Sequence, residues 1–314
     1  MPRIPVAQLS LNTRLRQQPF LLQDRNVRQI RDGVNMLLVT LVDRTGSIGG
    51  AFHDVPNPVI DSLRSAQGVE VTGYVNEYRG RLQISIERIV PVELASLEEF
   101  LPAARRSIGE MEAELDALLA DVVNPHLARL LSAFYDDPVM RRALVQAPAA
   151  KRYHHACFGG LLEHTLAVAR LVLTATDLYP GMDHDLAVTV ALLHDIGKVR
   201  AYHPITFELT EEGILFNHLP LGAMMVNEEI SRTPSFPDDL RLRVVHAILS
   251  HHGEQCKGSP VRPKTVEAIV LHYADNLDGD AQGAVDHLER SEDSIGPFTA
   301  YSTMHEGELY RGEQ

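Results

Sequence analysis

Cysteine is scarce in this 314-residue chain: there are two, Cys157 and Cys256, with no C-x-x-C spacing. That excludes a disulfide framework and a thiolate zinc site, and makes a reducing cytoplasm the expected compartment. Long apolar runs are missing as well. The longest, Leu186 to Leu193, is interrupted by Thr189, so no membrane span is expected. The opening residues MPRIPVAQLS lack the basic-then-apolar pattern of a secretory signal, and none is expected. Positive charge is short overall, 29 Lys and Arg against 42 Asp and Glu for a net of −13, which at first argues against a nucleic-acid partner. The deficit is uneven, however. Residues 1–93 hold 11 Arg and 9 acids, a net of +2, and the remainder carries −15. An acidic average is compatible with a locally basic binding face.

What is present is an ordinary globular composition, 45% hydrophobic and 23% charged, long enough for two domains. The chain changes character near residue 95. Before it, strands and turns dominate: a strand near Phe20, a hairpin over 35–53 turning at Asp43-Arg-Thr-Gly, one short helix within 56–67, and a second hairpin, 69–75 with 82–89, turning at Tyr78-Arg-Gly-Arg. About five short strands close most economically into a small barrel, since closure removes exposed edges. The order resembles an OB-fold, carried by the DRTGSI…AF segment and the VTGYVNEYRGRLQISI hairpin. Such a barrel, set at 1–94, would grip a polyanion through Arg25, Arg28, Arg31, Arg79 and Arg81, with Tyr74, Tyr78 and Phe52 stacking on bases.

From Ser96, read as an N-cap, the periodicity is helical. The first helix is expected to run through Leu119, with others at 126–134, 138–145, 160–178, 184–196, 218–232, 238–251 and 264–290. The division of this part is a helical linker or extension at 95–145, an all-α bundle at 146–290, and a weakly periodic tail at 291–314 that docks or frays.

Only one of the 15 histidines, His53, precedes residue 126. The rest follow an order with chemical content. Leu192-Leu-His-Asp-Ile-Gly-Lys198 sets His194 beside Asp195 where an apolar helix ends. Helical neighbours point about 100° apart, so both reach one ion only at that edge. Imidazole with carboxylate suits Mn²⁺, Fe²⁺ or Mg²⁺ better than thiolate-type metals. Lys198 supplies a cation where a phosphate would approach. With His164 on the preceding helix and Asp275 on the last long one, the set His…His-Asp…Asp resembles the HD-domain metal-dependent phosphohydrolases. A second ion would be held by His218 and His251 or His252 with Asp195 bridging. His155 and His246 are further candidates for metal or phosphate contact, and His154 lies beside the former.

The resemblance extends along nearly the whole chain. YHHACFGGLLEHT, then HDIGK, then the segment from Leu209 to His218, then ILSHHGE, then ADNLD is similar to the YhaM-type 3′→5′ exoribonucleases, which join an OB-fold to an HD domain. Asn217 stands where that family has Gly, and Cys256-Lys257 interrupts the run after Glu254. The resemblance implies a divalent metal, Mn²⁺ first with Fe²⁺, Mg²⁺ or Co²⁺ as alternatives, bound as one or two ions. It implies hydrolysis of single-stranded RNA, or DNA, to 5′-mononucleotides, with homo-oligomeric assembly and no membrane. Asp195 and Lys198 would be the catalytic residues. The alternative is a nucleotide phosphohydrolase or cyclic-dinucleotide phosphodiesterase on the same core, although the GYP element of the latter is missing after His252.

Overall fold

The computed structural model describes residues 3–29, 34–94, 97, 99–151, 155–291 and 296–312. Arg31, Ser96 and His154 lie outside the described residues. The chain divides into two compact units, Met1–Ala103 and Ala104–Gln314.

The first unit is a closed five-stranded barrel in the order β1-β2-β3-β5-β4, with β1 Arg14–Gln29, β2 Asn35–Asp43, β3 Gly46–His53, β4 Gly68–Tyr78 and β5 Arg81–Val92. All neighbours are antiparallel except β3 with β5. A six-residue helix α1, Asn57–Ser62, joins β3 to β4, as the strand–helix–strand order requires. Alternation drives the closure. Leu37, Val39 and Leu41 of β2, Val69, Val71 and Val75 of β4, and Ile84, Ile86 and Ile89 of β5 share one buried core with Phe20. Gly73 is needed at the β4–β5 bulge, because a Cβ there would lie 2.2 Å from the Ser85 carbonyl oxygen. Asp43 fixes the β2–β3 turn: its Oδ1 accepts from the Thr45 amide at 2.8 Å and its Oδ2 from the Val6 amide at 2.9 Å. Arg79 and Gly80 both take positive φ, 53° and 76°, the conformation of a two-residue hairpin turn.

The second unit is helical: α2 Ile108–Asp121, α3 Pro125–Tyr135, α4 Pro138–Gln146, α5 Gly160–Leu178, α6 His184–Leu193, α7 Lys198–Ala201, α8 Glu211–Phe216, α9 His218–Arg232, α10 Asp238–Ser250 and α11 Val266–Arg290. Every residue of α6 from Leu186 to Leu193 is buried, so this helix runs through the centre of the unit and needs no polar face. Leu161, Leu166 and Val172 of α5, Val244 and Ile248 of α10, and Leu271 of α11 pack in the same core.

Three expectations change. The first helix begins at Ile108, where the Ser107 hydroxyl accepts from the Glu110 amide at 3.3 Å, and residues 99–107 before it are not helical. Pro102 accounts for the shift, since it cannot occupy a helix interior. The segment expected as an extension is part of the bundle, because Met111, Leu115, Leu127, Leu130 and Phe134 belong to its core. The tail is a hairpin of β6, Phe298–Ser302, and β7, Gly307–Tyr310. It docks on α11: a Cβ on Gly283 would lie 2.5 Å from Met304 Sδ, and the ring of His305 donates from Nε2 to the Asp280 carbonyl at 3.1 Å. Among the described residues no helix is long and apolar enough to cross a membrane.

Candidate metal centre

Helix ends and one long helix bring the histidines together. The end of α6 presents His194 and then Asp195, both buried. His164 comes from the second turn of α5 and Asp275 from the middle of α11. One ligand atom from each of these four residues lies within 4.8 Å of all the others. His164 Nε2 stands 3.2 Å from His194 Nε2, 3.3 Å from Asp195 Oδ2 and 3.2 Å from Asp275 Oδ1. A second trio, His218, His251 and His252, meets the same distance test. Asp195 faces it with its other oxygen, Oδ1, at 3.3 Å from His218 Nε2 and 3.6 Å from His251 Nε2. The Asp195 carboxylate thus looks into both groups.

Gly197 permits this approach: a Cβ there would lie 2.1 Å from the His218 carbonyl oxygen, so α9 could not come so near. Asn217 takes φ 62°, a left-handed backbone that glycine adopts most readily. Here its side chain contributes instead. Asn217 Oδ1 accepts from both the His218 amide and the His218 ring at 2.7 Å.

Each ring Nδ1 is already engaged. His194 donates to the Ala191 carbonyl at 2.8 Å, His251 to Ile248 at 2.7 Å and His252 to Lys257 at 2.8 Å. His164 donates to Asp278 Oδ2 at 2.7 Å. The Nε2 atoms therefore face inward, and on His218 and His252, which burial keeps neutral, they carry a lone pair. His218 Nε2, His251 Nε2 and Asp195 Oδ1 are buried with no hydrogen-bond partner. Such orphans cost about 1–3 kcal/mol each, and a divalent cation between them would recover that loss. The donors are nitrogen and carboxylate oxygen with no thiolate, a set that Mn²⁺, Fe²⁺, Co²⁺ or Mg²⁺ fits.

The electrostatics agree. Burial lowers the pKa of His218 well below its ordinary value and that of His252 to about 4, with neighbouring imidazoles adding to the effect. Both rings are neutral at pH 7 and able to ligate. Burial opposes charge on Asp195 too, but Lys198 and His194 outweigh it and hold its carboxyl well below the usual range. Lys198 Nζ lies 2.5 Å from Asp195 Oδ2, and although burial favours the neutral amine, this carboxylate and Asp275 keep it cationic. His164 is the exception: burial opposes its charge, yet Asp195, Asp275 and Asp278 raise its pKa well above normal, so an ion bound there would displace the proton from its Nε2.

Two residues of the centre escaped the sequence reading, Asp278 and Glu163. Asp278 follows Asp275 by one helical turn within ADNLD, so the i,i+3 spacing was a usable signal. His155 sits between them: its Nδ1 is 3.1 Å from Glu163 Oε2 and its Nε2 3.1 Å from Asp278 Oδ2. His246 stands apart from both ligand groups, its Nε2 accepting from the Lys264 amide at 2.8 Å.

On the barrel, Tyr74 and Tyr78 are 38% and 56% exposed, and the Arg79 guanidinium lies 5.2 Å over the Tyr78 ring. Arg81 and Arg28 are exposed. Arg25 is committed in part, donating to the Arg64 carbonyl, and Phe52 packs against the barrel core, half-buried.

A model of the HD domain family matches residues 161–280, the stretch that contains all seven of these ligand candidates. A Bacillus velezensis protein named 3′-5′ exoribonuclease YhaM is 32% identical over 268 residues, 83% of this chain and 83% of its own length. Proteins of the same name from Bacillus subtilis and Listeria welshimeri are each 32% identical over 79% of both chains. Among solved structures, the second OB-fold domain of replication protein A from Methanococcus maripaludis is 22% identical, covers 30% of this chain and 99% of its own, and has a TM-score of 0.23.

Proposed function

This chain belongs to the YhaM 3′-5′ exoribonuclease family, and on that basis we propose that it removes nucleotides from the 3′ end of single-stranded RNA in a divalent-metal-dependent reaction. The observation that carries the reading is the pair of ligand groups joined by Asp195. Paired ions are the usual clamp for in-line phosphodiester displacement.

His164, His194, Asp195 and Asp275 would hold one ion; His218, His251 and His252, with Asp195 shared, would hold another. When bound, such ions act as Lewis acids toward phosphate oxygens and make hydroxide available at neutral pH. The chain's own contribution is orientation and charge. The Nδ1 hydrogen bonds fix each ring, the Lys198 ammonium stays cationic beside Asp195, and it offsets charge growing on the phosphate oxygens. Attack on phosphorus with release of the 3′-hydroxyl of the shortened strand leaves a 5′-mononucleotide.

We assign strand binding to the barrel, through Tyr74, Tyr78, Arg79 and Arg81 with Arg25 and Arg28 on β1, and single-stranded DNA is the second candidate substrate. Mn²⁺ is the metal we expect. The reading also includes assembly of several copies, supported by the exposed apolar side chains of Ile269, Tyr273 and Leu277 on α11, and residence in the cytoplasm.

One gel tests the activity: 5′-labelled single-stranded RNA incubated with Mn²⁺ or with EDTA. A ladder shortening one nucleotide at a time, with Mn²⁺ alone, is expected. Intact RNA beside hydrolysed free nucleotides or cyclic dinucleotides would move the assignment to the alternative phosphohydrolase.

A further inference from the structure

The five histidines of the two ligand groups whose Nδ1 partners are described differ in one respect. His194, His251 and His252 donate to backbone carbonyls and His218 to an amide oxygen, all neutral acceptors. His164 alone donates to a carboxylate, Asp278, at 2.7 Å. A carboxylate behind a ligating imidazole fixes its orientation and raises its basicity as a ligand. Asp278 is itself held in place. Its Oδ2 lies 3.1 Å from His155 Nε2, the other His155 nitrogen lies 3.1 Å from Glu163 Oε2, and Glu163 Oε1 accepts from the Arg106 amide at 3.1 Å. A chain of contacts therefore runs from Arg106, at the start of the helical unit, to the ligand candidate His164.

We infer that Asp278, braced by His155 and Glu163, is a positioning residue that makes the His164, His194, Asp195, Asp275 group the tighter of the two ion sites, so that the sites load in sequence. The donor sets favour the same order. The first group has a carboxylate of its own, Asp275, besides its share of Asp195, whereas the second has three imidazoles and only the other share of Asp195. His155, Glu163 and Asp278 belong to the bracing and not to a third ion site, because the 2.7 Å separation of His164 Nδ1 from Asp278 is that of a hydrogen bond.

This inference rests on the metal-site reading above, and the experiment separates the two. The full-length protein is titrated with Mn²⁺ by calorimetry, and the expected isotherm has a tight and a weak step. Asp278→Asn should weaken the tight step by about 10–100-fold and leave the weak one unchanged. Asp278→Glu should restore part of the loss. His155→Gln should weaken the same step by less, and it carries the comparison should Asp278→Asn fail to fold, as judged by circular dichroism. Binding in a single step, or an effect of these variants on both steps alike or on neither, overturns the inference while leaving metal binding intact. No Mn²⁺ binding by the unsubstituted protein overturns both.

Discussion

Among the described residues the barrel buries two polar side chains, Gln18 and Asp43, and both serve backbone groups: Gln18 bonds to the amide and carbonyl of Ile4, and Asp43 holds its turn. The helical unit instead buries His155, Glu163, His164, His194, Asp195, Lys198, His218 and His251 against one another. Burying charge is expensive, and a well-packed apolar cluster of the same volume is often at least as stable. The barrel's burial is explained by folding alone, whereas that of the helical unit needs a further reason, and ion binding supplies one. The two units should accordingly respond to different perturbations: salt for the exposed charges of the barrel, chelation and pH for the buried ones.

The strongest test of that contrast is Asp195→Asn. Because this carboxylate faces both groups, its loss should lower turnover by at least the about 10²–10³-fold seen when one group stabilising a transition state is removed. It should also abolish the rise in melting temperature on adding Mn²⁺. Binding of single-stranded RNA in EDTA, followed by fluorescence anisotropy, should stay as it was. Loss of both activities together would break the division between the units.

Acid comes next in size. Near pH 6.5 the unfolded chain takes up protons on His218 and His252, whereas the folded one keeps His252 neutral down to about 4 and depresses His218 as well. The unfolded state then binds more protons, so stability falls as pH falls through that window. For His252 alone the loss is about 3 kcal/mol by pH 4. His155 and His164 have raised pKa values; their contribution is present below the unfolded value and lost as pH rises through the folded one. Urea unfolding followed by helical ellipticity should therefore give highest stability near neutrality, with a drop at pH 5. A flat profile would mean that the buried rings are not held as described.

Much of this was legible because adjacent and turn-spaced residues carry their own geometry. The His194-Asp195 pair at the end of an apolar run implied one shared ligand edge, and the alternation in Val69–Val75 and Leu82–Ile89 implied a hairpin. The misreadings have physical causes too. Ser96-x-x-Glu99 and Ser107-x-x-Glu110 are the same capping pattern, and Pro102 was the tie-breaker. The tail strands, of five and four residues, are too short for alternation to stand out. Asn217 read as a departure because its positive φ is a property of the fold and not of the local pattern.

On the barrel side the expected effects are smaller. Tyr78→Ala should weaken RNA binding by about 1–3 kcal/mol if the ring stacks on a base, with turnover of a dinucleotide unchanged. Unchanged RNA affinity would remove the β4–β5 turn from the proposed interface.

The finest discrimination comes from salt. An arginine that neutralises one phosphate releases condensed counterions, so log affinity for a single strand falls with log salt by about 0.7 per contact. Arg81→Gln should make that slope shallower by about this amount, and Arg79→Gln should do the same while also removing the guanidinium 5.2 Å above Tyr78. The buried charges of the helical unit behave otherwise, because salt screens exposed pairs far more than enclosed ones. Asp195→Asn should leave the slope untouched, even with its activity gone. A change of slope in Asp195→Asn, with none in the arginine variants, would locate the strand-gripping charge in the helical unit and reverse the roles given to the two.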